Sequence, residues 1–216
     1  MNISQFIDHT LLRPTATDSD IQKLCEEAIE NEFKTVCVSP IAVDLASKIL
    51  EKSDVAVGTV IGFPFGYDDL STKIYGTQKA LDHGAKEIDA VITISAVKNA
   101  NWQYIENEIE TLATIINKRS DKILKIIFET AYLDFDEIKE LCNLCVKYNV
   151  DFVKTSTGYA DAGADKKIVS FMNEIIQNKI GIKASGGIRT RAFADELIAA
   201  GATRLGTSRG IDILRG

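Results

Sequence analysis

Ile180-Gly181-Ile182-Lys183-Ala184-Ser185-Gly186-Gly187 is a short apolar run that closes on a lysine, two small residues and a glycine pair. Phe152-Val153-Lys154-Thr155-Ser156-Thr157-Gly158 repeats the form about one strand–helix unit earlier. Lysine normally lies solvated on a helix, so two lysines at the ends of buried strands point to a function. A buried amine beside another cation can lose its proton near neutral pH and attack a carbonyl carbon.

Outward from these stretches the chain keeps a steady alternation of helix, tight turn and strand. Apolar residues recur three or four positions apart over 21–29, 42–50, 105–116, 138–146, 168–176 and 193–198, which predicts amphipathic helices. Further helices are expected over 70–81 and, as a short last one, over 211–214. Between them stand nearly continuous β-branched runs at 35–38, 55–61, 88–94, 123–128, 151–154, 180–183 and 203–205. Such runs suit parallel strands covered on both faces. Residues 6–8 supply an eighth strand. Asn31, Gly84, Asn149 and Gly201 stand where helices end and favour a left-handed cap.

Eight strand–helix units predict a (β/α)8 barrel, a single α/β domain over residues 1–216. The rival is an open doubly wound sheet. It would carry a glycine-rich phosphate fingerprint after the first strand, and none is there. The glycine signals follow the last two strands instead, where barrels hold phosphate.

Barrel active sites lie at the carboxyl ends of the strands. Besides Lys154 and Lys183, Asp89 in Glu87-Ile88-Asp89-Ala90-Val91-Ile92 qualifies. If Val153, Ile182 and Ile88 pack outward on helices, strand alternation turns Lys154, Lys183 and Asp89 inward. A carboxylate inside an apolar strand is costly unless paired. A structural ion pair filling the barrel is the plainer alternative. Two lysines against one aspartate leave a surplus cation, which favours amine chemistry. An ammonium about 4.5 Å away costs roughly 3.7 kcal/mol at an effective dielectric of about 20, enough to free a sizeable share of neutral amine near pH 7. Gly186-Gly187-Ile188-Arg189-Thr190 and Gly206-Thr207-Ser208-Arg209-Gly210 form paired loops whose backbone N–H groups can approach an anion, with Ser208 and Arg189 as side-chain contributors.

Ile7-Asp8-His9-Thr10-Leu11-Leu12, Val36-Cys37-Val38-Ser39-Pro40, Val60-Ile61-Gly62-Phe63-Pro64-Phe65-Gly66, Glu87-Ile88-Asp89 and the stretches 151–158, 183–190 and 204–208 together closely resemble the deoxyribose-phosphate aldolase family. The resemblance runs through the whole chain in order. It implies a class I aldolase that reversibly cleaves 2-deoxy-D-ribose 5-phosphate to D-glyceraldehyde 3-phosphate and acetaldehyde, with no metal or cofactor beyond the covalent lysine imine. By motif position it implies Lys154 as the Schiff-base lysine, Lys183 as the lysine that perturbs it, and Asp89 as the carboxylate that moves protons with Lys183 and water. It places Thr157 on a substrate hydroxyl and Gly158, Gly186, Gly187, Gly206 and Ser208 at the phosphate, with Arg189 and Thr207 in the same loops. Thr93 departs from the asparagine common in the family, and Tyr159 from phenylalanine or lysine. Some members carry a tyrosine-bearing C-terminal tail. The sequence given closes on Arg215-Gly216, so the resemblance carries over the Schiff-base chemistry and leaves a tail-assisted step open.

Other features carry less chemistry. Cys142 and Cys145 form a C-x-x-C pair, yet with Ile138, Leu141 and Val146 they trace one apolar helix face, and no second pair or histidine completes a zinc site. Cys25 sits the same way on its helix, whereas Cys37 lies in a strand and can line a pocket. His9 and His83 are assigned structural places, Trp102 and Tyr104 pack at a helix start, and Phe63-Pro64-Phe65-Gly66 is a pocket wall or a rigid turn. A net charge of −6 offers nothing to nucleic acid or an anionic membrane. The first residues lack the basic and apolar parts of a signal peptide and no run approaches a membrane span, so a cytoplasmic protein is expected. Its partners are then small phosphosugars and aldehydes, with homo-oligomerisation left open. A phosphosugar isomerase or synthase on the same barrel would work through a carboxylate or histidine base. A phosphometabolite-binding regulator would need the loops but not the poised lysine.

Overall fold

The computed structural model describes residues 2–216. In chain order it runs β1 (Ile7–Leu11), α1 (Asp18–Glu30), β2 (Thr35–Val38), α2 (Val43–Leu50), β3 (Ala56–Ile61), α3 (Leu70–Asp82), β4 (Glu87–Val91), α4 (Ile94–Lys98) and α5 (Trp102–Asn117). It continues with β5 (Ile123–Ile127), α6 (Phe135–Lys147), β6 (Phe152–Lys154), α7 (Lys166–Ile176), β7 (Gly181–Ser185), α8 (Arg191–Ala199), β8 (Arg204–Thr207) and α9 (Gly210–Arg215). The strands pair in sequence order, all parallel, and β8 returns to β1 through Ile7↔Leu205 and His9↔Thr207. This is a closed (β/α)8 barrel, as the alternation of short β-branched runs and amphipathic helices predicts.

The strand alternation sorts the side chains by face. Ile7, Val36, Val57, Ile88, Ile126, Val153, Ile182 and Leu205 join the apolar layer between barrel and helices. There they meet Leu24, Leu112, Leu141, Met172 and Leu197 from the helices. Each such buried side chain contributes about 1.5–3 kcal/mol. The neighbouring residues on each strand therefore face the barrel axis, and those are largely polar. The outward packing expected of Val153, Ile182 and Ile88 is observed, with Lys154, Lys183 and Asp89 turned inside.

Local signals place the boundaries. Thr17 and Asp20 form a capping box at α1, Asp134 and Glu137 another at α6, and Asp69 caps α3. Gly84, Asn149 and Gly201 take positive φ after their helices as expected. Asn31 does not: its φ is −102°, and the left-handed position falls to Glu32. Asn31 stays in the helical cap because its Nδ2 donates back to the Glu27 carbonyl at 2.8 Å.

The run at 88–94 also divides differently. β4 ends at Val91, and Ile94 opens the short helix α4. A buried ion pair outside the barrel marks the break. Lys73 on α3 pairs with Glu108 on α5 and donates to the Val91 carbonyl at 2.8 Å and to the Thr93 hydroxyl at 2.9 Å. Glu108 in turn accepts the Thr93 N–H at 3.1 Å. Thr93 thus serves to end β4. Cys142, Cys145 and Cys25 are buried in helix packing, and burial pushes the Cys142 thiol up to about 12 and that of Cys25 to about 11.

Candidate active site

The inward residues of alternate strands stack in layers. Thr35, Glu87, Phe152 and Arg204 come from β2, β4, β6 and β8; Arg204 donates to Thr35 at 3.0 Å and to Glu87 at 3.1 Å, and lies 5.2 Å from the Phe152 ring centre. Asp8, Gly58, Lys125 and Lys183 follow from the odd strands, then Cys37, Asp89, Lys154 and Gly206 from the even ones. Most barrels fill this space with branched aliphatics. Here it holds four cations, Lys125, Lys154, Lys183 and Arg204, against three carboxylates, Asp8, Glu87 and Asp89.

Glycine creates the room for them. A Cβ at Gly206 would stand 2.9 Å from Lys183 Cε and 3.0 Å from Ser185 Cβ, so a side chain there would displace the Lys183 chain. A Cβ at Gly58 would likewise come within 3.2 Å of Thr35 Cγ2.

Asp89 is the hub. Its Oδ2 accepts from both Lys154 and Lys183 at 2.7 Å, while its Oδ1 accepts from Lys125 at 2.8 Å. Asp8 binds the other side of Lys183 at 2.5 Å and Arg204 at 2.7 Å. Burial opposes the charge on both carboxylates, but the surrounding lysines outweigh it and hold them well below the usual carboxylate range. The two lysines diverge. Burial is the leading influence that lowers the Lys154 amine below its ordinary value; Asp89 opposes this and the Lys183 ammonium adds to it. Lys183 is equally buried, yet Asp8 and Asp89 together hold its amine above the ordinary value. One amine is thus shifted toward its neutral form beside another shifted toward its charged form.

The expectation from sequence differs here in two respects. The surplus positive charge is real but belongs to a seven-membered network, not to two lysines and one aspartate. Burial, ahead of Lys183, is the first cause of the Lys154 shift. Asp8, Glu87, Lys125 and Arg204 were not singled out by sequence reasoning. Lys125 carries the same signal as Asp89, a charge inside an apolar strand, and Asp8 stands in the quoted 7–12 motif.

Above this layer opens a cavity of about 520 Å³. Lys154 reaches its floor, and Thr157, Gly158, Gly186, Gly187, Arg189, Gly206, Thr207 and Ser208 line it. Asp89 lies beneath, paired with Lys154, and Lys183 pairs with the same Asp89 oxygen. The loops are tied to one another. Thr155 Oγ1 accepts the Ser185 N–H at 3.1 Å, and Ser185 Oγ donates to the Ser156 carbonyl at 2.5 Å. Thr207 Oγ1 donates to the Ile188 carbonyl at 2.7 Å and accepts the Arg209 N–H at 2.9 Å, which ties the two loops together. Gly163 lies against Gly186 so closely that a Cβ on it would fall 2.3 Å from the Gly186 carbonyl oxygen. Such loops can offer backbone N–H groups to an anion.

A second cavity of about 610 Å³ adjoins the first, lined by Val60, Phe63, Pro64, Phe65 and Tyr75. Tyr159 and Leu12 border both. Phe63 and Phe65 are thus a pocket wall, and Gly66 also closes a tight turn by donating its N–H to the Gly62 carbonyl at 2.7 Å. His9 lies outside the barrel, buried, bonded to Glu27 at 2.8 Å and tilted on Phe33, which fits its structural assignment. Cys37 is buried beside the lysines, inside the barrel.

The model of the DeoC/LacD family aldolases matches residues 3–216. A deoxyribose-phosphate aldolase of Carboxydothermus hydrogenoformans (strain ATCC BAA-161 / DSM 6008 / Z-2901) is 46% identical over 215 residues, covering 99% of this chain and 94% of its own. Its counterpart in Thermoanaerobacter sp. (strain X514) is 44% identical over 214 residues, covering 99% and 96%. The tetrameric deoxyribose phosphate aldolase structure from Aeropyrum pernix superposes with a TM-score of 0.91 at 31% identity, covering 99% of this chain and 89% of that one. A barrel with a lysine at the floor of its cavity, matched along its length to these relatives, belongs to the DeoC/LacD family of aldolases.

Proposed function

We propose that this aldolase reversibly cleaves 2-deoxy-D-ribose 5-phosphate to D-glyceraldehyde 3-phosphate and acetaldehyde through an imine on Lys154, within deoxyribose catabolism in the cytoplasm. The observation that carries the reading is the pair of lysines sharing one oxygen of Asp89, of which only Lys154 opens on the cavity.

In the proposed path the neutral Lys154 amine attacks C1 of the open-chain sugar, forming the N–C1 bond. The carbinolamine oxygen takes a proton and leaves as water, giving the iminium. The C3 hydroxyl then loses its proton as the C2–C3 bond breaks, and that electron pair enters the C2–C1 enamine. The C3 fragment leaves as glyceraldehyde 3-phosphate. The enamine takes a proton at C2, and water adds to C1 and releases acetaldehyde and the free amine. Asp89, whose Oδ2 accepts from both the Lys154 and the Lys183 amines, moves these protons together with Lys183. The backbone of Gly158, Gly186, Gly187 and Gly206, with Ser208 and Arg189, holds the phosphate, and Thr157 meets a substrate hydroxyl. No step calls on a metal or organic cofactor. Among the described residues no helix is long and apolar enough to cross a membrane, and no group of three or more His, Cys, Asp or Glu is arranged to hold a metal ion. By likeness to the tetrameric relative, self-assembly is part of the proposal, and sedimentation reads it.

Borohydride reduction in the presence of acetaldehyde, followed by peptide mapping, tests the proposal. The adduct is expected on Lys154 and is lost in Lys154→Ala with the fold retained. An adduct on a different lysine, or none in the unaltered protein, overturns it.

A further inference from the structure

Glu129 is a buried carboxylate that the mechanism above does not use. It follows β5 at the carboxyl end of the barrel and is 2% exposed. Its backbone is left-handed, with φ 55° and ψ 66°, a conformation that costs a non-glycine residue energy. One of its oxygens, Oε1, is buried with no hydrogen-bond partner. A strained backbone and an unsatisfied buried oxygen at one residue are expensive for structure alone.

The other oxygen is fully engaged with Thr157. Oε2 accepts the Thr157 N–H at 3.2 Å and also pairs with the Thr157 hydroxyl. Burial pushes the Glu129 carboxyl up, and its contacts with Thr157 pull the other way. The hydrogen-bond inventory of Thr157 then closes. A hydroxyl has one hydrogen and two lone pairs. Because Oε2 already takes the N–H, it acts as acceptor, and the single Thr157 hydroxyl hydrogen is directed at it. One lone pair of Thr157 Oγ1 takes the Tyr159 N–H at 3.1 Å. What remains toward the cavity is one lone pair and no hydrogen.

We propose that Glu129 is a positioning residue that locks the Thr157 hydroxyl as an acceptor, so that the site selects a substrate presenting a hydroxyl donor at that point. The inference rests on the functional reading above, in which Thr157 meets the bound sugar. With C1 held by Lys154 and the phosphate by the glycine loops, Thr157, next to Gly158, stands at the phosphate end and faces the C4 hydroxyl. A C4 hydroxyl can donate to the free lone pair. A substrate with hydrogen at C4 leaves that lone pair buried and unpaired, and a C4 ketone meets it with a second acceptor. Selection by polarity of this kind discriminates more strongly than shape alone.

The test compares kcat/KM for 2-deoxy-D-ribose 5-phosphate with that for its 4-deoxy analogue. The unaltered enzyme is expected to prefer the hydroxylated substrate by about 10–100-fold, the cost of leaving one buried acceptor unpaired. Glu129→Leu frees the Thr157 hydrogen and is expected to cut that preference about tenfold, the worth of one such hydrogen bond. In a Thr157→Val background, Glu129→Leu should not alter the ratio further. A residue with a merely structural role would depress both substrates together and leave the ratio unchanged, and that result overturns the inference. Glu129→Gln keeps an acceptor oxygen and guards against misfolding of the leucine variant; it is expected to retain most of the preference. Acetaldehyde has no C4, so its borohydride trapping on Lys154 is expected to survive in the Glu129 variants. Loss of that adduct from the unaltered protein would count against the aldolase reading itself, whereas an intact adduct with an unmoved ratio counts against Glu129 alone.

Discussion

Lys183→Leu removes the one cation by which the barrel interior exceeds its carboxylates, and its effect on Lys154 follows from the geometry. Both amines donate to Asp89 Oδ2 at 2.7 Å. Two such vectors opening at a near-tetrahedral angle place the ammonium groups about 4.4 Å apart, where their repulsion is roughly 4 kcal/mol at an effective dielectric of about 20. Without Lys183, that repulsion disappears and Asp89 attends more fully to Lys154. Both changes favour the charged amine. The neutral fraction at a fixed pH should fall by about two to three orders of magnitude, less whatever the site recovers by admitting water. The assay is the rate of cyanoborohydride-trapped acetaldehyde on Lys154 as a function of pH, which reports imine formation separately from later proton transfers. The rising limb should move to higher pH, and the two proteins should converge in alkaline solution. A limb that stays in place refutes the coupling of the two lysines.

Asp89→Asn leaves three buried ammonium groups without their shared acceptor charge and should lower turnover by about two to four orders of magnitude; binding of a phosphorylated analogue should stay within about tenfold, and near-normal turnover would reduce Asp89 to a structural partner. Ser208→Glu puts a carboxylate into the glycine-lined cavity and should weaken phosphorylated substrate by several-fold or more while sparing unphosphorylated deoxyribose, measured as the ratio of their kcat/KM values; equal loss on both would make the loop structural. Asp8 and Asp89 ionise below the usual carboxylate range. The folded chain therefore binds fewer protons than the unfolded one in acid, so their stabilisation is present above about pH 4 and lost as pH falls through their folded values. The melting temperature should drop on acidification below about pH 4, and less steeply in Asp8→Asn; parallel curves for the two proteins would show that this network does not govern acid stability.

What the sequence determined by itself was periodic and local. Alternation within 151–154, 180–183 and 88–91 told which side chains face helices and which face the axis, because a strand's period of two is a property of its own backbone. Helical spacing located the helices to within a few residues, and the glycine pairs after the last two strands marked the cavity rim. Short-range detail was legible only where one residue dominates. Gly84 and Gly201 cap as expected, whereas Asn31 is held by its own side-chain bond and passes the left-handed position to Glu32. The helix at Ile94–Lys98 is too short to show a period, and the buried Lys73–Glu108 pair that ends β4 beside it joins residues 35 apart.

Tertiary closure decided the rest. Asp8 and Lys183 are 175 residues apart, and Asp8 and Arg204 are 196 apart, yet they bond because β8 pairs with β1. No local pattern can say that a second carboxylate will stand behind Lys183, or that Lys125 and Arg204 will balance it. The opposite shifts of Lys154 and Lys183 depend on that arrangement, since each amine's charge is set by how many carboxylates reach it and how little water does. The direction of the Thr157 hydroxyl is likewise fixed by Glu129, from a different strand end. Sequence could name the residues that face the axis; only the closed barrel could say which charges each one meets there.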